Sequence, residues 1–154
     1  MAGERKDYAG TGTGTGSHTY IYRARGVAKF SGEGEALVTG QGISFFGGVD
    51  PKTGIVRERG HELCGADMTG KVLVFPKGKG STVGSYVIYQ LRKNGHAPAA
   101  IINVETETII AAGCILAEIP LVDRLEKSPL EVIGSGDHVS VDGDGGTVTV
   151  TKKH

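Results

Sequence analysis

Cysteine is scarce in this chain, net charge is absent and no long apolar run occurs, and each lack closes off a class of protein. The two cysteines among 154 residues, Cys64 and Cys114, are too sparse for a disulfide scaffold and lack close metal-ligand spacing. Both read as reduced and structural. Lysine plus arginine and aspartate plus glutamate each number 17, so no overall positive field gathers polyanions, which argues against nucleic acid. No apolar stretch approaches the about 20 residues of a membrane-spanning helix. The N-terminal MAGERKDYAGTGTGTGS has no apolar centre of the kind a secretory signal carries. A cytoplasmic protein is the expectation, and the length suits one domain with a real core rather than two.

What the chain does have is glycine, 26 residues of it, falling mostly between short apolar runs. Residues 1–19, with the repeat GTGTGTGS and almost no apolar side chains, read as a flexible tail. From Tyr20 the pattern changes to short β-like runs, IYRARGVAKF, EALVTG and ISFFGG, each stopped by glycine. Asp50-Pro51-Lys52-Thr53-Gly54 reads as a tight turn, and RERGHELCGADMTG as a polar connection without periodicity. KVLVF then reads as a buried strand. After it Val83, Val87 and Leu91, with Ile88 beside them, recur on one helical face up to a stop at Asn94-Gly95. APAAIINV returns as a strand, so residues 71–104 form a strand, helix, strand unit that favours parallel pairing. TETIIAAGCILAE predicts a second helix and IPLVD another strand. DHVSVDGDGGTVTV predicts a hairpin turning at Asp142-Gly143-Asp144-Gly145-Gly146. A single α/β domain over residues 20–154 follows, a mixed sheet or open barrel with two main helices.

The chemistry of greatest interest lies in KGKGSTVGS, where strand gives way to helix. A helix start carries unpaired N–H groups and a partial positive charge, which favour an anion or an oxygen about to become one. Ser81 sits there. Gly78 and Gly80 let backbone approach a ligand, Lys77 and Lys79 add positive charge, and Thr82 follows. The spacing is not that of a nucleotide P-loop, because Gly78-Lys79 is followed by Gly80 and Leu73 stands five before Gly78. It is not the Gly-x-Ser-x-Gly nucleophile elbow either. The plainer alternative makes Ser81 a helix cap with the lysines simply solvated.

Elsewhere the residues leave alternatives open. His61, Glu62 and Cys64 read as a metal set or as an ordinary polar loop, with no second cluster nearby. His96 and His138 read as structural or exposed. Glu105 and Glu107 lie past a predicted strand end, where ligand sites of α/β sheets gather. Phe45 and Phe46 either pack on a neighbour or fill the core. Ser44, Gly47, Gly48 and Asp50 stand as candidates for a site or interface, although Asp50 also fits the start of the turn.

GEGEALVTGQGISFFGGVDPKTGIV, GKVLVFPKGKGSTVGS, APAAIINVET and IPLVD, in this order, resemble the small subunit of the aconitase X family over about residues 24–150. The resemblance implies a swivelling β/β/α domain that pairs with a much larger subunit, the chain expected to hold an iron–sulfur (4Fe-4S) cluster or another iron centre, while this chain binds no metal of its own. It implies a hydro-lyase active only as that complex. The implied reaction dehydrates (R)-5-phosphomevalonate to trans-anhydromevalonate 5-phosphate in an archaeal-type mevalonate route to isoprenoids. The alternatives are cis-3-hydroxy-L-proline as substrate, or an anion-binding module without chemistry. In the family the first serine after the Gly-basic-Gly element accepts the proton; here that element is Gly78-Lys79-Gly80 and the role falls on Ser81. Lys77, Gly78, Lys79, Gly80 and Thr82 are then the expected substrate-binding residues.

Overall fold

Alternation of apolar side chains along three short strands builds the centre of the molecule. The structure is a computed structural model, and it describes residues 18–153. Strands are numbered here in chain order: β1 Thr19–Arg23, β2 Arg25–Ala28, β3 Ser31–Val38, β4 Val72–Phe75, β5 Ala100–Asn103, β6 Leu121–Asp123, β7 His138–Asp142 and β8 Thr147–Thr151. The helices are α1 Phe45–Gly48, α2 Gly84–Lys93, α3 Thr108–Ala117 and α4 Pro129–Val132. Strands β4, β5 and β6 are buried at every position, so they carry one apolar set on each face. Leu73, Phe75, Ile101 and Leu121 pack against Val87, Ile88 and Leu91 of α2 and Ile110, Cys114 and Ala117 of α3. Val72, Val74, Ala100, Ile102 and Val122 face the other way, onto Val139, Val141, Val148 and Val150 of the β7–β8 hairpin. The period of two therefore sorts side chains into two cores, and the molecule stacks as β, β and α layers.

One long strand joins the two β layers. Ser31 to Glu35 pair antiparallel with β7, and Ala36 to Val38 continue parallel to β4. The strand order is β1-β8-β7-β3-β4-β5-β6-β2, with β3, β4, β5 and β6 parallel. This is a layered mixed sheet rather than a closed barrel. The strand, helix, strand unit and the terminal hairpin lie where the sequence predicts them.

Four local expectations are corrected. IYRARGVAKF is two strands, not one: β1 pairs with β8 at one edge, β2 with β6 at the other, and only Ala24 separates them. ISFFGG is not strand-like, because Gly47 takes φ 85° and folds Phe45–Gly48 into a single turn. Only Ile43 keeps a bridge, to Gly78. Val83 does not join the apolar face of α2; it precedes the helix and is 45% exposed, while Gly84, Val87, Ile88 and Leu91 are buried. The short α4 was not expected from the sequence; Pro129 at its start presets the first helical dihedral. At the N-terminus His18 O accepts a hydrogen bond from Lys152 N at 2.8 Å and β1 starts at Thr19, so order extends slightly ahead of Tyr20. The reading of a flexible tail up to residue 17 lies outside the described residues.

Candidate active site

The parallel strands β3, β4, β5 and β6 all end on one side, and the loops that follow them gather there, as ligand-binding loops do in open α/β sheets. The loop after β3 and the glycine loop after β4 are stitched together through backbone: Ile43 N donates to Lys77 O at 3.3 Å and Lys79 N to Ile43 O at 3.0 Å. Val104 N, beyond β5, donates to Pro76 O at 3.0 Å. Between these walls opens a cleft of about 390 Å³ lined by Ser44, Phe46, Gly47, Gly48, Glu58, Lys79 and Gly80.

Two glycines in KGKGS are dictated by space. Gly78 is buried, and a Cβ there would run into Glu107 Oε1 and the Ile110 side chain. Gly80 has φ 89°, and its absent Cβ would collide with Ser44 Oγ, so that hydroxyl lies directly against the glycine loop. Ser81 follows, exposed beside the cleft. Its Oγ accepts a hydrogen bond from Val83 N at 3.1 Å, and its carbonyl accepts from Gly84 N at 2.9 Å. The hydroxyl thus already receives one backbone donor, the kind of contact that stabilises an oxyanion. Ser81 is not the cap of α2, however; Val83 holds that position and no side chain caps it. Thr82 is exposed and its carbonyl takes bonds from Ser85 N and Ser85 Oγ.

The two lysines differ. Lys79 Nζ reaches across to Glu58 Oε2 at 3.0 Å, whereas Lys77 is exposed and forms no ion pair among the described residues. Asp50 lies outside the cleft lining: its Oδ1 accepts from Lys52 N at 2.9 Å, and Arg57 stands 3.6 Å from Oδ2. The Lys52 N–H, with help from Thr53 and Arg57, holds the Asp50 carboxyl below its ordinary range, as befits a turn-starting aspartate.

The remaining candidates serve as supports. Glu107 accepts from Ile109 N and Ile110 N and so caps α3. Glu105 pairs with Arg124 through two bonds of 3.1 and 2.7 Å, which lowers its pKa. His61 is buried, accepts from Leu63 N through Nδ1 at 3.0 Å and therefore donates through Nε2 to Gly42 O at 3.0 Å. Glu62 accepts from Thr39 Oγ1 and Gly40 N, and Glu62 N donates to Gln41 Oε1. His61 and Glu62 therefore brace the loop that presents Ser44. His96 bonds Thr69 Oγ1 and His138 bonds Glu33, both apart from the cleft. Phe45 is core and packs tilted on Phe75, while Phe46 is 53% exposed at the cleft wall. Glu58 was missed, because its partner lies 21 residues away and RERGHEL carries no periodicity that would single it out.

An iron–sulfur cluster does not fit this chain's side chains. Cys64 is exposed and Cys114 is wholly buried, where desolvation pushes its thiol pKa up and disfavours the thiolate a metal needs. No group of three or more potential ligands occurs among the described residues.

Residues 21–150 match the family described as the aconitase X swivel domain. The phosphomevalonate dehydratase small subunit of Methanosarcina acetivorans is 58% identical over 130 residues, which is 84% of this chain and 90% of that one. The protein of the same name from Archaeoglobus fulgidus is 54% identical over 127 residues, 82% of this chain and 96% of that one. Among solved structures, the holo-form of Thermococcus kodakaraensis aconitase X matches with TM-score 0.81 and 46% identity, over 86% of this chain and 98% of that chain.

Proposed function

The chain belongs to the aconitase X swivel-domain family, and from that premise we propose that it is the small subunit of a phosphomevalonate dehydratase. The observation that carries this reading is the agreement of relatives bearing that name, at 58% and 54% identity over most of both chains. In this reading the complex is a hydro-lyase that converts (R)-5-phosphomevalonate to trans-anhydromevalonate 5-phosphate for isoprenoid synthesis in the cytoplasm. No helix among the described residues is long and apolar enough to cross a membrane.

Dehydration moves a proton from the carbon beside a carboxylate to a base, turns the C–H electrons into a double bond, and expels hydroxide with the C–O electrons; the hydroxide takes a proton from solvent and leaves as water, and the base returns its proton to solvent. Ser81 is assigned as the proton acceptor. An ordinary serine hydroxyl is far too weak an acid for this, so its alkoxide must be stabilised by the Val83 N–H, the glycine-loop amides and nearby ammonium groups. Such a contribution, several kcal/mol in a site that excludes water, requires the exposed cleft to be covered. A large aconitase X-type subunit is the covering partner, and we place the 4Fe-4S cluster there, since this chain lacks the thiolates for one. Lys77, Lys79 and the backbone at Gly78, Gly80 and Thr82 form the anion-binding side, with Ser44, Gly47 and Gly48 completing the wall.

The test is to produce this chain together with its large subunit and assay it anaerobically on 5-phosphomevalonate and cis-3-hydroxy-L-proline in parallel. Turnover of the phosphate ester by the complex alone is expected. Turnover by this chain without a partner contradicts the subunit reading, and turnover of the hydroxyproline alone overturns the substrate.

A further inference from the structure

We infer that Glu58 is a positioning residue for Lys79, holding its ammonium at the wall of the reaction cleft. This rests on the dehydratase reading of the same site. Glu58 and Lys79 come from different loops and meet across the cleft at 3.0 Å, and both line it. The glutamate end is the fixed one. Arg57 N and Glu58 N both donate to Gly48 O, at 2.7 and 3.2 Å, and Glu58 O accepts from His61 N at 3.2 Å. Oε1 of Glu58 also lies where a Cβ on Gly48 would come within 3.3 Å, so the carboxylate is seated against the Gly47-Gly48 turn. Lys79 is the long, adaptable end: its stem passes over Gly42, whose absent Cβ would lie 3.5 Å from Lys79 Cδ.

Stability does not account for this pair. The lysine side chain is half exposed and the glutamate 28% exposed, and ion pairs in such surroundings add little to folding. What the pair does supply is geometry. A lysine has four rotatable bonds and no preferred direction in solvent, and a carboxylate seated against the Gly47-Gly48 turn, on a main chain bonded to Gly48 O, reduces it to one placement. Lys79 immediately precedes the glycine whose left-handed conformation sets Ser81, so the fixed ammonium and the reacting hydroxyl belong to one short rigid unit. The pair also leaves no unpaired charge among the residues that line the cleft, so an incoming anionic group shares the Lys79 ammonium already in place there.

The experiment uses the complex of this chain with its large subunit. Glu58→Gln keeps the shape and removes the charge, Glu58→Asp restores the charge on a shorter stem, and a charge swap, Glu58→Lys with Lys79→Glu, rebuilds the pair in reverse. Steady-state kinetics on 5-phosphomevalonate and the thermal midpoint of each complex are measured. For Glu58→Gln the expected result is a KM raised about ten-fold with kcat within about two-fold, because binding shared by ground and transition states is lost. Glu58→Asp recovers part of it, and the midpoint barely moves. The swap leaves the midpoint near wild type and does not restore the KM. Unchanged kinetics in Glu58→Gln, or kinetics restored by the swap, overturn the assignment, the latter by showing a latch indifferent to which side bears which charge. A wild-type complex inactive on 5-phosphomevalonate overturns the dehydratase reading and this assignment together, whereas an active wild type with unaffected variants overturns this one alone.

Discussion

Gly80 stands between the lysine that Glu58 holds and the serine assigned as proton acceptor, and its φ of 89° is one that a side chain resists. Replacing it by alanine adds about 1–2 kcal/mol of backbone strain and drives a methyl group into Ser44 Oγ. The expected outcome for Gly80→Ala is a modest fall in thermal midpoint and a disproportionate loss of turnover, measured on the assembled enzyme, because relief of the collision moves Ser81. A variant whose activity falls only as far as its folded fraction would show that Ser81 tolerates displacement. At this scale residue type and spacing marked Lys79, Gly80 and Ser81 as candidates, while the proton-acceptor role of Ser81 came only with the family resemblance. The structure brings Ser44, Gly47, Gly48, Lys79 and Gly80 together around one cleft, with Ser81 next in the chain. Asp50 already fitted a turn start in the sequence, and its bonds to Lys52 and Arg57 account for its carboxylate there. Glu58 had no signal at all, since it stands between two arginines in a polar connection with no motif around it.

Among the elements, the helix pair behind the central strands is held close by a glycine rather than by a large side chain. Gly113 of α3 faces Ile88 and Ser85 of α2, and a Cβ there would lie 2.7 Å from Ile88 Cδ1, 3.0 Å from Ile88 Cβ and 3.2 Å from Ser85 Cα. The first contact can yield by rotation and the other two cannot. Alanine gains about 1 kcal/mol in helix propensity and loses about 1–3 kcal/mol to overpacking, so Gly113→Ala is expected to destabilise by about 1 kcal/mol in urea titrations. Its KM as a complex should stay near wild type, because the cleft lies in other loops. A stabilised variant would mean the helices separate freely. Periodicity made this layer legible: Val87, Ile88 and Leu91 at helical spacing, VLVF and AIIN as buried runs. Between Phe45 and Met68 the Asp50–Gly54 turn was legible from its residues, but the rest was not, because it is built from isolated bridges, Val49 to Val56 and Ile55 to Asp67, which leave no repeat.

For the whole molecule, acid sensitivity reports on two buried carboxylates, one within each β layer, that tie strand ends to neighbouring segments. Burial pushes the Asp137 carboxyl up, but bonds from Lys152 Nζ at 2.6 Å, Gly134 N at 2.7 Å and Lys153 N at 2.9 Å outweigh it and hold the pKa below its ordinary value. Burial likewise raises Asp123, and the Arg25 guanidinium with Thr106 N more than reverses that. A carboxyl depressed in the folded state adds stability that is complete above its unfolded pKa, about 3.9, and is lost as pH falls below that toward the folded value. Asp137→Asn should therefore lower stability at pH 7, by about 1–3 kcal/mol for charged hydrogen bonds, and flatten the loss of thermal midpoint below about pH 4. An unchanged acid limb would show that Asp137 is not the tie. Strand order at this scale was beyond the sequence. β1 pairs with β8 and β2 with β6, across more than half the chain, and nothing in IYRARGVAKF says that its two halves go to opposite edges.

The proposed function depends at every scale on one assignment, that Ser81 accepts a proton from carbon once a partner covers it. The direct measurement compares Ser81→Ala with wild type, each co-purified with the large subunit and assayed anaerobically on 5-phosphomevalonate. Loss of a general base typically costs about 10²–10⁴ in rate. The expected result is a complex of unchanged stoichiometry and thermal midpoint whose kcat falls by that much. A Ser81→Ala complex that turns over at the wild-type rate would contradict the assignment outright.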